Sequence, residues 1–191
     1  MYSSVDSSSN KGEKMDNFFA NLPEGHVLKT FYLEHEIILK TLKEISELND
    51  RIQNIQSIDS AVPELKKLQY QATRLTDSEP HHQREENALF SIMIERGMGG
   101  PPTVMTMEHV TIREYKHKLK DISVNYNGLS WEEVKTKINS LSIGICQMLG
   151  NHIQKENTIL YPMAHQGIPE ESVWQEMRKK CDEIGYCSFT P

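Results

Sequence analysis

The sequence predicts an all-α protein, an antiparallel up-down four-helix bundle with a short extra helix at its C-terminus. Apolar residues recur at alternating spacings of three and four in four separate segments, each marking one buried helix face. The stretches between those segments are short and rich in Gly, Pro, Asn and Ser. No segment has the β-branched, alternating character of a strand. The chain of 191 residues divides into a polar tail over 1–20, a bundle over 21–166 and a helical extension over 167–191.

Composition limits the functions to be considered. A formal charge of −6 and a pI near 5.8 argue against a nucleic-acid partner or an anionic membrane surface. No apolar run reaches the ~18 residues of a membrane span. The opening MYSSVDSSSNKGEK lacks the apolar core of a secretory signal and reads as a disordered polar tail. With three cysteines and no such signal, a cytoplasmic location and free thiols are expected.

The first helix is expected to open at Asn21-Leu22-Pro23-Glu24, Asn21 capping it. Leu28, Phe31, His35, Ile38, Leu42 and Ile45 then form a seam in which His35 is the polar member. His26, half a turn round from His35, faces elsewhere. After a break over 55–62, the second helix carries Leu65, Leu68, Ala72 and Leu75 inward and runs on to Arg96, kinked at Pro80. The kink leaves two registers open. His81 with Glu85 leads into Leu89 and Ile92; His82 with Glu86 leads into Leu89, Phe90 and Met93 and continues the upstream periodicity better. The loop Gly97–Pro102 precedes a third helix with Met105, His109, Ile112, Lys116 and Leu119 on one stripe. Asn125–Gly128 turns the chain, and Ser130-Trp131-Glu132-Glu133 is a capping box for the fourth helix. That helix brings Ile138, Leu141, Ile145, Met148 and Leu149 inward, then His152 and Glu156, then Ile159, Leu160 and Met163, with Pro162 ending or kinking it. Beyond Gly167, residues 169–184 form an amphipathic helix closed by Gly185.

His152 and Glu156 lie one turn apart on an otherwise apolar face. A carboxylate there costs several kcal/mol unless a buried Lys or Arg, or a metal, compensates its charge. Depth along the helices, at about 1.5 Å per residue, brings His35, His81, His109 and His152 into one half of the bundle. Mononuclear zinc usually takes four ligands, so four histidines and two glutamates point to two metals bridged by the carboxylates. Imidazole with carboxylate suits iron best, with manganese or zinc as the other candidates. His117 and His165 read as solvated, and Cys181 and Cys187 as packing residues. Tyr32, Tyr115 and Tyr161 could approach the site, but spacing does not place them.

Taken together, these spaced elements resemble the hemerythrin-like, or HHE cation-binding, family. There the first and third helices give a His each, and the second and fourth a His-x-x-x-Glu running into Leu-Phe-Pro. The matching residues are His35; His81 and Glu85 ahead of Leu89-Phe90; His109; and His152 and Glu156 ahead of Leu160-Tyr161-Pro162. The resemblance spans 23–163 and favours His81 and Glu85, with His82 and Glu86 as the alternate pair. LPEGHVLKTFYLEHE and the closing DEIGYCSF further resemble hemerythrin-type domains attached to a small domain of unknown function in anaerobes. Ser91 replaces a family proline. Arg113 stands where oxygen carriers place a second His, and His-x-x-x-Glu replaces their terminal His-x-x-x-x-Asp. The set is closer to the iron–sulfur-repair and nitric-oxide-handling branch, but no cysteine precedes Cys146, so repair is unsupported. The resemblance implies a non-haem di-iron protein that binds dioxygen, nitric oxide or peroxide for sensing, storage or detoxification. The competing expectation is a metal-free or zinc-stabilised helical interaction module with structural histidines.

Overall fold

The computed structural model describes residues 17–191, and all regular structure among them is helical. We label the helices α1 (Val27–Gln53), α2 (Ile58–Thr76), α3 (Glu79–Arg84), α4 (Ser91–Glu95), α5 (Gly100–Ile122), α6 (Trp131–Lys155), α7 (Tyr161–Gly167) and α8 (Glu171–Ile184). Two π-helical segments, Glu85–Phe90 and Glu156–Leu160, join α3 to α4 and α6 to α7.

Side-chain pairs fix the topology. Arg51 meets Glu64 and Arg84 meets Glu34, so α1 and the α2–α3 column run antiparallel. Lys120 reaches Thr76 while His109 reaches Glu86, which sets α5 against that column. Glu108 meets His152, and Tyr115 packs on Gly144, so α6 opposes α5. Asn49–Asn139 and His35–Asn157 close the square between α6 and α1. The result is an up-down-up-down bundle, with α8 packed on α1, α3 and the first π segment.

Several boundaries differ from those expected, each for a local reason. The tail expected over 1–20 falls outside the described residues as far as 16. Residues 17–20 are helical, and Phe19 is buried, stacked 4.1 Å from Tyr32. The cap of α1 is His26, not Asn21; its Nδ1 accepts the Leu28 N–H at 3.2 Å. Pro80 does not kink one long helix. The chain breaks at Asp77 and Ser78, and Pro80 opens α3, where its missing N–H costs nothing. Pro162 likewise sits in the first turn of α7, just after a π segment whose Tyr161 N–H bonds five residues back to Glu156.

Two apolar clusters fill the bundle. One, at the α8 end, includes Leu28, Phe31, Leu89, Phe90, Met93, Leu160, Tyr161 and Trp174. The other runs from Ile38, Leu42 and Ile45 through Leu68, Ile112 and Leu119 to Ile138 and Ile145. Buried polar side chains from four helical columns lie between them.

Candidate metal centre

The six residues singled out above meet between the two clusters. His35, His81, Glu85 and Glu156 form one group of potential ligands, and Glu85, His109, His152 and Glu156 the other. Within each group the ligand atoms lie inside 4.8 Å of one another, and all six residues are buried. Two ligands on opposite sides of one metal, with bonds of about 2.0–2.2 Å, are about 4.4 Å apart. Each group therefore has about the dimensions of one metal's ligand shell, and the two share both carboxylates.

The π segments explain how the helices deliver these groups. An α-helix that turns once every 3.6 residues carries His81 and Glu85 inward and then presents Leu89 with Ile92. A π turn takes in one extra residue, so the inward face moves on by one position. Ala88, Leu89, Phe90 and Met93 are buried beyond Glu85, although the residues brought into the cluster are His81 and Glu85 rather than His82 and Glu86. Each register suggested by periodicity is thus valid on one side of the π segment. The same slip follows Glu156: Ile159, expected inside, is 56 % exposed, while Leu160 and Tyr161 are buried.

Every ring in the cluster is held from outside through Nδ1. His35 Nδ1 donates to Asn157 Oδ1 at 2.8 Å and His81 Nδ1 to Glu34 Oε2 at 2.6 Å. His109 Nδ1 donates to Glu86 Oε1 at 2.7 Å and His152 Nδ1 to Glu108 Oε2 at 2.8 Å. Carboxylate and amide oxygens accept only, so the Nδ1 atoms facing them carry the protons and the Nε2 lone pairs point inward. His35 and His81 then face each other Nε2 to Nε2 at 3.0 Å, as do His109 and His152. Lone pairs so close require a cation between them.

A proton could serve that need, and the carboxylates favour it. Burial alone would lower the His109 pKa, but the adjacent Glu85 and Glu86 carboxylates outweigh it and raise the value to about 9. His35 is raised too, Glu156 and Glu85 overcoming the same burial. Burial would raise the Glu156 carboxyl, yet His152 and His35 hold it well below the usual carboxylate range. Protons alone nevertheless leave Glu85 Oε2 and both oxygens of Glu156 without hydrogen bonds. Glu156 Oε1 is 3.0 Å from His152 Nε2, but off the direction a hydrogen bond needs. Nor do buried cations compensate these carboxylates. Arg84 is spent on Glu34 at 2.6 and 2.8 Å, and Lys116 donates to Ser78 at 2.6 Å. A metal at each position takes up nitrogens and orphaned oxygens together, so the residues present fit a dinuclear site.

The carboxylates play unequal parts. Glu156 sends Oε2 to within 3.3 Å of His35 Nε2 and Oε1 toward His152, one oxygen to each group. Glu85 Oε2 lies 3.4 Å from both His81 and His109 Nε2. Its other oxygen accepts the buried Tyr161 hydroxyl at 2.6 Å. Tyr161 also stacks on His35, as Phe90 stacks on His109 across the site.

The alternate pair lies outside these groups. His82 stacks 4.1 Å from the His109 ring, and burial beside the Lys116 charge pushes its pKa well below the ordinary value. Lys116, itself buried, is lowered to about 7 by desolvation. Glu86 supports His109 and pairs with Arg113 at 3.0 Å. His117 and His165 are exposed. Cys181 and Cys187 are free thiols, both pushed up to about 11 chiefly by burial. Sequence reasoning missed Glu34, Arg84, Glu108 and Asn157. Each directly precedes or follows one of the six residues in the chain, but supporting contacts cross between helices and leave no spacing pattern.

No helix among the described residues is long and apolar enough to cross a membrane. The comparison with curated proteins returned no match. A family profile, the Hemerythrin HHE cation binding domain, matches residues 26–164. That span begins at the cap of α1, ends within α7 and contains both groups of buried His and Glu side chains, and on this ground the chain belongs to the hemerythrin HHE cation-binding family.

Proposed function

We propose that the chain is a non-haem di-iron protein in which His35, His81, Glu85, His109, His152 and Glu156 hold two iron ions, bridged by the two glutamates. The observation that carries this reading is the pair of Nε2–Nε2 contacts at 3.0 Å beside three carboxylate oxygens with no hydrogen bond. Mixed imidazole and carboxylate donors without thiolate favour iron over zinc. Bound iron would supply the capacity to take up dioxygen, nitric oxide or peroxide, in a sensing, storage or detoxifying role in the cytoplasm. The protein's own part is to exclude bulk water with the two apolar clusters and to fix each imidazole through its Nδ1 partner. Arg113 is turned away from the ligands to Glu79 and Glu86, so the extra imidazole of oxygen carriers has no substitute here. Four histidines leave coordination positions to small ligands, which favours rapid oxidation in air over reversible carriage. The test is anaerobic purification, metal quantitation and an optical spectrum before and after mixing with oxygenated buffer. Prompt conversion to a stable oxidised spectrum is expected. An oxygen-adduct band that disappears on purging with inert gas would contradict the proposed reactivity.

A further inference from the structure

The stretch after α8, GYCSFTP, lies beyond the span matched by the family and has no part in the ligand set. It folds back onto the outer support of one ligand. Cys187 is buried, with Sγ 3.8 Å from Arg84 Nη2, and the Tyr186 ring lies under the same guanidinium, 4.6 Å from it. The Thr190 hydroxyl donates to Glu34 Oε1, and the Thr190 N–H ties back to the Cys187 carbonyl at 3.0 Å. Phe189 packs on the apolar cluster beneath. Glu34 is thereby fully engaged: Arg84 and Thr190 hold one oxygen, Arg84 and His81 Nδ1 the other.

The remaining imidazoles are supported differently. His35 rests on Asn157, His109 on Glu86 and His152 on Glu108. The last two carboxylates are partly exposed and pair with Arg113 and Lys155 from within the bundle. Among the four supports, Glu34 is the one whose own partners include the C-terminal stretch. A histidine's outer hydrogen bond sets its orientation and donor strength, and removing such a partner typically lowers metal affinity about 10–100-fold.

We propose that residues 185–191 act as a latch on one of the two metal positions. By holding Glu34 and Arg84 they fix the His81 imidazole, so the ion at the His35–His81 position depends on the tail and the ion at the His109–His152 position does not. Thr190 is the positioning residue that closes the latch. The proposal rests on the di-iron reading above.

The experiment loads the full-length protein with ferrous iron under anaerobic conditions and follows release to excess ferrous chelator. Thr190→Val removes the hydroxyl while keeping the shape, and Thr190→Ser keeps the hydroxyl. Glu108→Gln is the counterpart at the other position. In T190V one of the two ions should leave about tenfold faster while the other keeps its rate. T190S should restore wild-type release, and E108Q should speed the other ion. The inference is overturned if T190V releases both ions at wild-type rates. It is equally overturned if both accelerate together with a fall in melting temperature, which marks general loosening. A wild-type chain that takes up no iron overturns the underlying reading, and the latch with it.

Discussion

At the residue scale, neighbouring side chains of one type do different work. His81 sends Nε2 into the cluster, while His82, one position on, stacks on His109 and leaves Nδ1 without a hydrogen-bond partner. We expect His81→Ala to lose metal and His82→Ala to keep it, as read by metal content after identical purification; the reverse would move the site to His82 and Glu86. Tyr161 is the second case. Replacing it with Phe strands Glu85 Oε1 in the interior, which should destabilise the metal-free protein by about 1–3 kcal/mol. Urea denaturation with chelator present measures this, and an unchanged midpoint counts against the role given to the hydroxyl. His26 is the third. Burial and the charge of His165, opposed by Glu171, lower its pKa to about 4, and its Nδ1 must stay unprotonated to cap α1. The unfolded chain then binds the proton more readily, so the cap's contribution is complete above the ordinary value of 6.5 and is lost as pH falls toward 4. His26→Asn should keep a cap worth about 1 kcal/mol and lose that acid dependence. The comparison is stability at pH 7 and pH 5 in both proteins.

At the element scale, the π segments decide how much the sequence can disclose. The stripe on α5 (Met105, His109, Ile112, Lys116, Leu119) is regular and buried as its periodicity indicates. The Ser130 capping box and the seam of α1 are equally plain, because unbroken helices repeat every 3.6 residues. After Glu85 and Glu156 that rule fails, so Ile159 turns outward although its spacing points it inward. Periodicity alone favours His82 over His81 because the chain breaks at Asp77, which spacing does not reveal; the family resemblance points to His81 instead. Glu34 and Arg84 were illegible because their significance lies in a contact across 50 residues of sequence. The π turn is itself testable. Deleting exposed Asn87 removes the extra residue and restores α geometry after Glu85. Circular dichroism should show helix content unchanged while metal content falls, and full metal loading would show that the π segment does not set the ligand geometry.

At the scale of the whole molecule, the polar layer separates two apolar clusters, so the bundle's midsection depends on whatever neutralises that layer. Metal at both positions would join the two clusters, since Glu85 Oε2 and both Glu156 oxygens are buried without hydrogen bonds from the protein. Metal occupancy and global stability should therefore move together. The most direct measurement is metal content per chain and melting temperature, taken on the same anaerobically purified samples of wild type, His152→Ala and Glu156→Ala. We expect about two ions per wild-type chain, mostly iron, fewer in both variants, and a melting temperature that falls with the loss and falls again on chelation of wild type. Variants that load iron fully, or a wild-type chain free of metal and indifferent to chelator, would contradict this expectation.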